Sequence, residues 1–146
     1  MNKYIQLVIR IIVGGLFIYA SIDKISDPAT FAKQINNYHI IPFGLENTIA
    51  LVLPWLEIII GICLIIGVYV EGASGWILLL LISFIIFMVQ AIMRGYNIEC
   101  GCGLKEGQMI GLKKILENTI MSISMFWLMI QPKIYFTLFP KTGLEE

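Results

Sequence analysis

The sequence has few charged residues and no net charge. Charged side chains make up 14% of its 146 residues, and ten basic residues balance ten acidic ones. A soluble domain is about one quarter charged, so this composition excludes an ordinary soluble enzyme and a disordered tail. Nucleic-acid binding depends on an excess of positive charge, which is absent. We therefore expect no nucleic-acid partner.

Cysteine and histidine are also scarce, with three cysteines and one histidine, His39. Three cysteines exclude a disulfide-dense secreted scaffold. Two loop thiolates fill at most half of a tetrahedral zinc site, although His39 could add a third ligand. The sequence contains no Cys-Xaa-Xaa-Cys, phosphate-binding loop, nucleophile elbow or metalloprotease helix. We therefore predict no metal centre.

Apolar residues are abundant, at 58% of the chain, with a mean hydropathy of +0.86. A helix needs about 20 mostly apolar residues to cross a bilayer. Four windows qualify, and their approximate bounds are 5–22, 49–70, 72–93 and 112–130. A shorter helical run, 29–38, follows Asp27-Pro28 and is too polar to span. The sequence predicts an all-α membrane protein: one transmembrane domain over 1–146, built as a four-helix bundle with a short interfacial helix between the first two spans.

The predicted spans place the loops and polar residues. With four crossings, both termini share one face and the loops 23–47 and 94–111 share the other. The short connection at Glu71-Gly72 predicts a tight hairpin. Glu57 lies inside a span, where a carboxylate is costly unless it is paired, neutral or hydrated. We expect it to contact Lys24, Arg94 or a polar residue of the fourth helix such as Asn118. Arg10 is expected to extend toward the face that carries the termini.

The residues best suited to a chemical reaction lie in the second loop, where the sequence reads Cys100-Gly101-Cys102. Two cysteines one residue apart can form a strained disulfide, and a strained bridge exchanges readily with other thiols. Arg94 and Lys105 favour the thiolate form. Spacing alone leaves three alternatives open: a static staple, a pair of reduced thiols without a role, and a metal site shared with His39. Cys63, in the middle of a span, is interpreted as a packing residue.

The order of several short motifs resembles the MauE branch of the DoxX-like membrane proteins. These motifs together cover about residues 10–104. The first is Gly15 to Lys24, and the second is Asp27-Pro28 followed by Phe31, Tyr38 and Pro42. The third is Leu53-Pro54-Trp55-Leu56-Glu57 with Gly61, and the fourth is Arg94-Gly95 followed by Cys100-Gly101-Cys102. The family motif commonly continues with Phe-Gly after the second cysteine. Here Gly103-Leu104 follows instead.

The resemblance implies a membrane thiol-disulfide redox protein of the bacterial inner membrane. It would exchange electrons between a thioredoxin-like exoplasmic partner, or a substrate dithiol, and the membrane. Cys100 and Cys102 would be the redox pair, supported by the polar residues Lys24, Tyr38, Glu57 and Arg94. The resemblance leaves open whether the protein is itself an oxidoreductase enzyme. Its cofactor is likewise open, and a quinone is the candidate.

Two other functions compete with this interpretation. The first is a noncatalytic subunit or assembly factor of a larger membrane complex, in which Cys100 and Cys102 form a structural staple. The second is a small-molecule or ion carrier that uses Glu57 and Lys24. Reducibility separates the redox protein from the staple, because a working pair must cycle between its two states. Acid-dependent transport would favour the carrier.

The sequence gives conflicting evidence about the side of the membrane on which the cysteines lie. The cysteine side carries six basic residues and the terminal side three, or four with Arg10. The positive-inside rule therefore predicts cytoplasmic cysteines. Disulfide chemistry and the family resemblance predict the exoplasmic side. We expect the cysteine loop to be exoplasmic because the charge excess is small.

Overall fold

The described part of the chain is helical. The computed structural model describes residues 3–39, 41–42, 44–95, 112–131 and 134–138, and within them it shows helices and no strands. The five helices, in chain order, are α1 (Lys3–Ser26), α2 (Pro28–Asn37), α3 (Leu45–Ile66), α4 (Val70–Met93) and α5 (Leu112–Met129). This confirms the all-α prediction.

Three of these helices, α1, α3 and α4, are long and apolar enough to cross a membrane. They correspond to the first three predicted spans. The fourth predicted span forms α5, whose 18 residues include three charges near its beginning, Lys113, Lys114 and Glu117. The predicted short helix forms α2. That α5 crosses the bilayer and that α2 lies in the interface stay predictions.

Local signals explain how α2 begins. Asp27 is its N-cap, and its carboxylate accepts hydrogen bonds from the Thr30 amide at 3.0 Å and the Thr30 hydroxyl at 2.6 Å. Pro28 occupies the first helical turn, where its missing N–H is not needed. The bonds from Thr30, led by the one from its hydroxyl, hold the pKa of the Asp27 carboxyl below its ordinary value. Asp27-Pro28 is therefore a helix start, as the sequence predicted.

The connection between α3 and α4 differs from the prediction. We expected the second span to continue to residue 70 and the hairpin to turn at Glu71-Gly72. Instead, α3 ends at Ile66 because Gly67 adopts the left-handed conformation, with φ 85°, and donates its N–H to the Cys63 carbonyl at 2.9 Å. Residues 67–69 form the turn, and α4 begins at Val70. The apolar run continues through this turn, so hydropathy alone did not mark the helix end.

Helix packing brings the chain together in two principal pairs. α1 packs along α3, and α4 packs along α5, while α2 lies against α3. The first pair is antiparallel and very close: a Cβ atom built on Gly14 would lie 2.8 Å from the Gly61 carbonyl oxygen. The main core combines side chains of α1, α3, α4 and α5, including Phe17, Leu64, Ile77 and Met125.

Arg10 joins three parts of the chain from inside the bundle. It extends toward the end of the bundle where α1 begins and α3 ends, as expected, and it is fully buried there. Its guanidinium donates to the carbonyl oxygens of Leu64 at 2.8 Å, Ile65 at 3.2 Å, Tyr135 at 2.9 Å and Phe136 at 3.2 Å. These acceptors lie in the last turn of α3 and in residues 134–138. The last turn of a helix carries partial negative charge, which favours a cation there.

Candidate functional site

A buried ion pair joins α1 to α3. Lys24 Nζ donates to both carboxylate oxygens of Glu57 at 2.8 Å. Glu57 is 0% exposed and Lys24 is 5% exposed. The prediction that Glu57 points into the bundle and contacts a basic group is confirmed, and the basic group is Lys24.

Ser21 is a third member of this site. Its hydroxyl lies 3.0 Å from Glu57 Oε2 and 2.6 Å from the Phe17 carbonyl oxygen, and it can donate its single proton to one of them at a time. Ser21 is one helical turn before Lys24, so both face α3. Sequence reasoning missed Ser21, although its spacing from Lys24 could have identified it.

Aromatic rings surround the ammonium group of Lys24. Its Nζ lies 5.1 Å from the ring centroid of Phe31 on α2 and 5.3 Å from that of Phe84 on α4. Both distances are within the range of cation–π attraction. The site is therefore built by four elements, because α2 and α4 enclose the pair that α1 and α3 form.

A small cavity adjoins the ion pair. Its volume is about 50 Å³. Side chains from α1, α3, α4 and α5 line it, among them Phe17, Lys24, Glu57, Leu81, Phe84 and Asn118. Asn118 belongs to α5 and is 6% exposed. Within the described residues its Nδ2 has no hydrogen-bond partner.

The ion pair is an expensive arrangement in an apolar bundle. Removing two charges from water is so costly that well-packed apolar residues of similar volume are often at least as stable as a buried ion pair. Charged side chains inside membrane spans are therefore rare and are functional candidates by default. Stability alone does not explain why Lys24 and Glu57 occupy these positions.

The other two supporting residues predicted from the sequence lie elsewhere. Arg94 follows the last residue of α4 and is exposed, and among the described residues it forms no ion pair. Tyr38 follows the last residue of α2, with its ring 6.1 Å from that of Phe87 on α4. Burial raises the pKa of Tyr38 to about 12. Of the four supporting residues, the structure thus brings Lys24 and Glu57 into direct contact.

The cysteine motif has a defined attachment to the bundle. Cys100 and Cys102 lie outside the described residues. The described chain stops at Gly95 and resumes at Leu112, which are at the C-terminal end of α4 and the beginning of α5. At about 1.5 Å per residue, Phe84 lies about 14 Å along the helix axis from the end of α4, and Asn118 lies about 9 Å from the start of α5. The cysteine segment is therefore attached at the end of the bundle nearer the ion pair.

Cys63 occupies a different part of the molecule. It lies on α3, one turn before Gly67, and is half-buried against the main core. This location fits its interpretation as a packing residue. Within the described ranges, no group of three histidine, cysteine or acidic side chains could hold a metal ion. The alternative of a metal site shared by His39 and the two loop cysteines falls outside that search.

The fold and the site define a helical membrane protein that keeps a lysine-glutamate pair inside its bundle. The family model described as methylamine utilisation protein MauE matches residues 2–131, and the chain belongs to that family. This confirms the resemblance noted from the short motifs.

Two relatives carry the name methylamine utilization protein MauE. The protein from Paracoccus denitrificans is 27% identical over 118 residues, covering 78% of this chain and 62% of the relative. The protein from Methylorubrum extorquens is 34% identical over 91 residues, covering 60% of this chain and 49% of the relative. The chain thus spans about half to three fifths of the length of these relatives. No solved structure matches it.

Proposed function

We propose that this MauE-family protein is a membrane thiol-disulfide redox protein. Its Cys100–Cys102 disulfide accepts two electrons and two protons from the dithiol of a thioredoxin-like exoplasmic partner, which becomes a disulfide. The reduced cysteine pair then passes these electrons and protons to a lipid-soluble acceptor of the quinone class. Because two relatives carry the name methylamine utilization protein, we propose a partner from a comparable utilization system.

One structural observation supports this proposal above the others: the buried Lys24–Glu57 pair lies toward the end of the bundle at which the cysteine segment is attached. Thiol oxidation moves protons together with electrons, and membrane-embedded carboxylates commonly belong to proton relays. We propose that Glu57 handles protons and that Lys24 and Ser21 position its carboxylate.

The proposed exoplasmic placement of the cysteine loop depends on its disulfide chemistry, because disulfides persist outside the cytoplasm. The small excess of basic residues on that side opposes this placement.

Thiol exchange with a reduced partner tests the proposal. Reduced thioredoxin serves as the probe dithiol, added to the protein reconstituted in liposomes. We expect the wild type to oxidise thioredoxin, and Cys100→Ser and Cys102→Ser to lose this activity. A thioredoxin that keeps only its attacking cysteine should accumulate as a mixed disulfide with the wild-type protein, because its thiolate opens the Cys100–Cys102 bond and it has no second thiol to complete its own oxidation. Cys63→Ser is the matched control and should react like the wild type.

The competing functions predict different results. A structural staple would resist thioredoxin and form no mixed disulfide with it, and both loop variants would lose thermal stability. A carrier would keep its transport activity in both loop variants and lose it in Glu57→Gln. Under our proposal, Glu57→Gln leaves the bundle folded and changes the pH dependence of thioredoxin oxidation.

A further inference from the structure

Exposed polar residues show how close Lys24 lies to water. Asp23 and Asp27 flank it along the chain, and both carboxylate side chains are exposed, as is the side chain of Ser26. Charged groups facing the hydrocarbon core are costly, so this end of α1 lies at the level of water or lipid headgroups. Lys24 follows Asp23 directly and is two residues from the end of α1. Its depth in the membrane therefore does not explain its burial.

The short helix α2 covers Lys24 at this end of the bundle. Lys24 is 5% exposed, and Phe31 of α2, which is also 5% exposed, places its ring centroid 5.1 Å from Lys24 Nζ. From there α2 continues along α3, where Ala32 and Ile35 pack in one cluster with Phe31 and Ala50. A side chain of α2, and not the bilayer, thus separates the ammonium group from the water beside α1.

The packing of α2 allows it to move without disrupting the bundle. Its buried side chains belong to a small cluster that is separate from the main core, and its outer face carries the exposed residues Lys33 and Asn36. Asp27 alone connects it to α1, and its other end leads to left-handed residues at His39, with φ 50°, and Gly44, with φ 100°. Elements with few buried apolar contacts open at a lower free energy than the core.

We propose that α2 is a lid over the Lys24–Glu57 pair and that Phe31 is the side chain that closes it. The closed lid keeps the pair dry. Displacement of Phe31 admits water to Lys24 Nζ, which donates to both Glu57 oxygens at 2.8 Å. The lid itself is inferred from packing alone. Its use, which is to admit the protons that Glu57 handles, rests on the proposed function.

Acetylation of lysines from the aqueous phase tests the lid. Sulfosuccinimidyl acetate is charged, so it reacts with amines that water reaches, and mass spectrometry measures each lysine in protein held in lipid nanodiscs. In the wild type, exposed Lys33 should react much faster than Lys24. We expect Phe31→Ala to raise the acetylation rate of Lys24 about tenfold, because reaction of a buried group requires local opening.

Phe84→Ala is the matched control, because the Phe84 ring lies 5.3 Å from the same Nζ but belongs to α4. Both variants lose one cation–π contact, and only Phe31→Ala opens the lid. Lys24 should therefore react in Phe84→Ala at close to its wild-type rate. Equal increases in the two variants, or no increase in folded Phe31→Ala, would overturn the proposal.

A milder substitution keeps the test decisive if Phe31→Ala does not fold. Phe31→Val removes part of the ring volume and should raise Lys24 acetylation several-fold, and an unchanged rate in this variant would also overturn the lid. Acetylation requires no thiol exchange. A failure of the lid is therefore distinguishable from a failure of thioredoxin oxidation, which would leave the acetylation result intact.

Discussion

Replacing Lys24 with methionine removes one charge of the buried pair while keeping a side chain of similar length. Glu57 is then left inside the bundle with the Ser21 hydroxyl as its remaining protein donor among the described residues. Removing one partner of a buried ion pair destabilises a protein by about 3–5 kcal/mol, because the other charge stays buried without compensation. Since both side chains are almost fully buried, we expect Lys24→Met to lower the free energy of unfolding by about 3 kcal/mol.

A second substitution separates lost pairing from lost packing. The double variant Lys24→Met/Glu57→Leu removes both charges, so we expect it to be more stable than Lys24→Met alone. Lys33→Met on α2 is the matched control, because Lys33 is exposed. It should change stability by less than about 0.5 kcal/mol.

Equilibrium unfolding in mixed micelles, with increasing denaturing detergent, measures five proteins under one condition: the wild type, Lys24→Met, Glu57→Leu, the double variant and Lys33→Met. The difference between the double variant and the sum of its single variants gives the coupling energy of the pair. A Lys24→Met protein as stable as Lys33→Met, together with additive effects in the double variant, would refute the conclusion that these charges depend on each other.

Three further predictions concern packing, titration and the third cysteine. Gly14→Ala should lower the thermal unfolding temperature, because its Cβ would collide with the Gly61 carbonyl oxygen. The control Gly15→Ala places its Cβ where nothing lies within 4 Å, so it should leave the unfolding temperature unchanged or raise it. Equal decreases in unfolding temperature for the two variants would contradict the close approach of α1 and α3. Because the pKa of Tyr38 is raised from 10.0 to about 12, its phenol should ionise above the ordinary tyrosine range. The unfolded chain then loses the Tyr38 proton first, so the free energy of unfolding should fall as the pH rises from about 10 to about 12. Ultraviolet titration should show a late phenolate step that Tyr38→Phe removes; an unchanged titration would exclude this assignment. Cys63→Ala should retain thioredoxin oxidation in the proposed assay, and its loss in a folded variant would show that Cys63 is more than a packing residue.

The amino-acid sequence predicted the parts of the fold that follow from hydropathy and helix-start signals. Long apolar runs identified α1, α3 and α4, and Asp27-Pro28 identified the start of α2. The contact of Glu57 with Lys24 was also predictable, because a carboxylate inside a span needs a partner from the same half of the bilayer. The helices follow from composition and spacing within one chain segment, and the contact follows from the membrane depth that two segments share.

Features that depend on tertiary packing were not predictable. The end of α3 lies inside an apolar run and is fixed by the left-handed conformation of Gly67. Arg10 had no carboxylate to indicate its partners, because its acceptors are carbonyl oxygens of α3 and of a distant segment. The cavity beside Asn118 forms where two helix pairs meet, so no single segment contains its signal.

Thiol labelling in intact cells tests the central claim most directly, because it reports both the location and the redox state of Cys100 and Cys102. A membrane-impermeant thiol reagent is applied to a Cys63→Ser background before and after treatment with an impermeant reductant. Our account predicts no labelling before reduction and labelling of both loop cysteines afterwards. Labelling that appears only after the membrane is permeabilised would contradict the exoplasmic placement. Two free thiols before reduction would contradict the disulfide.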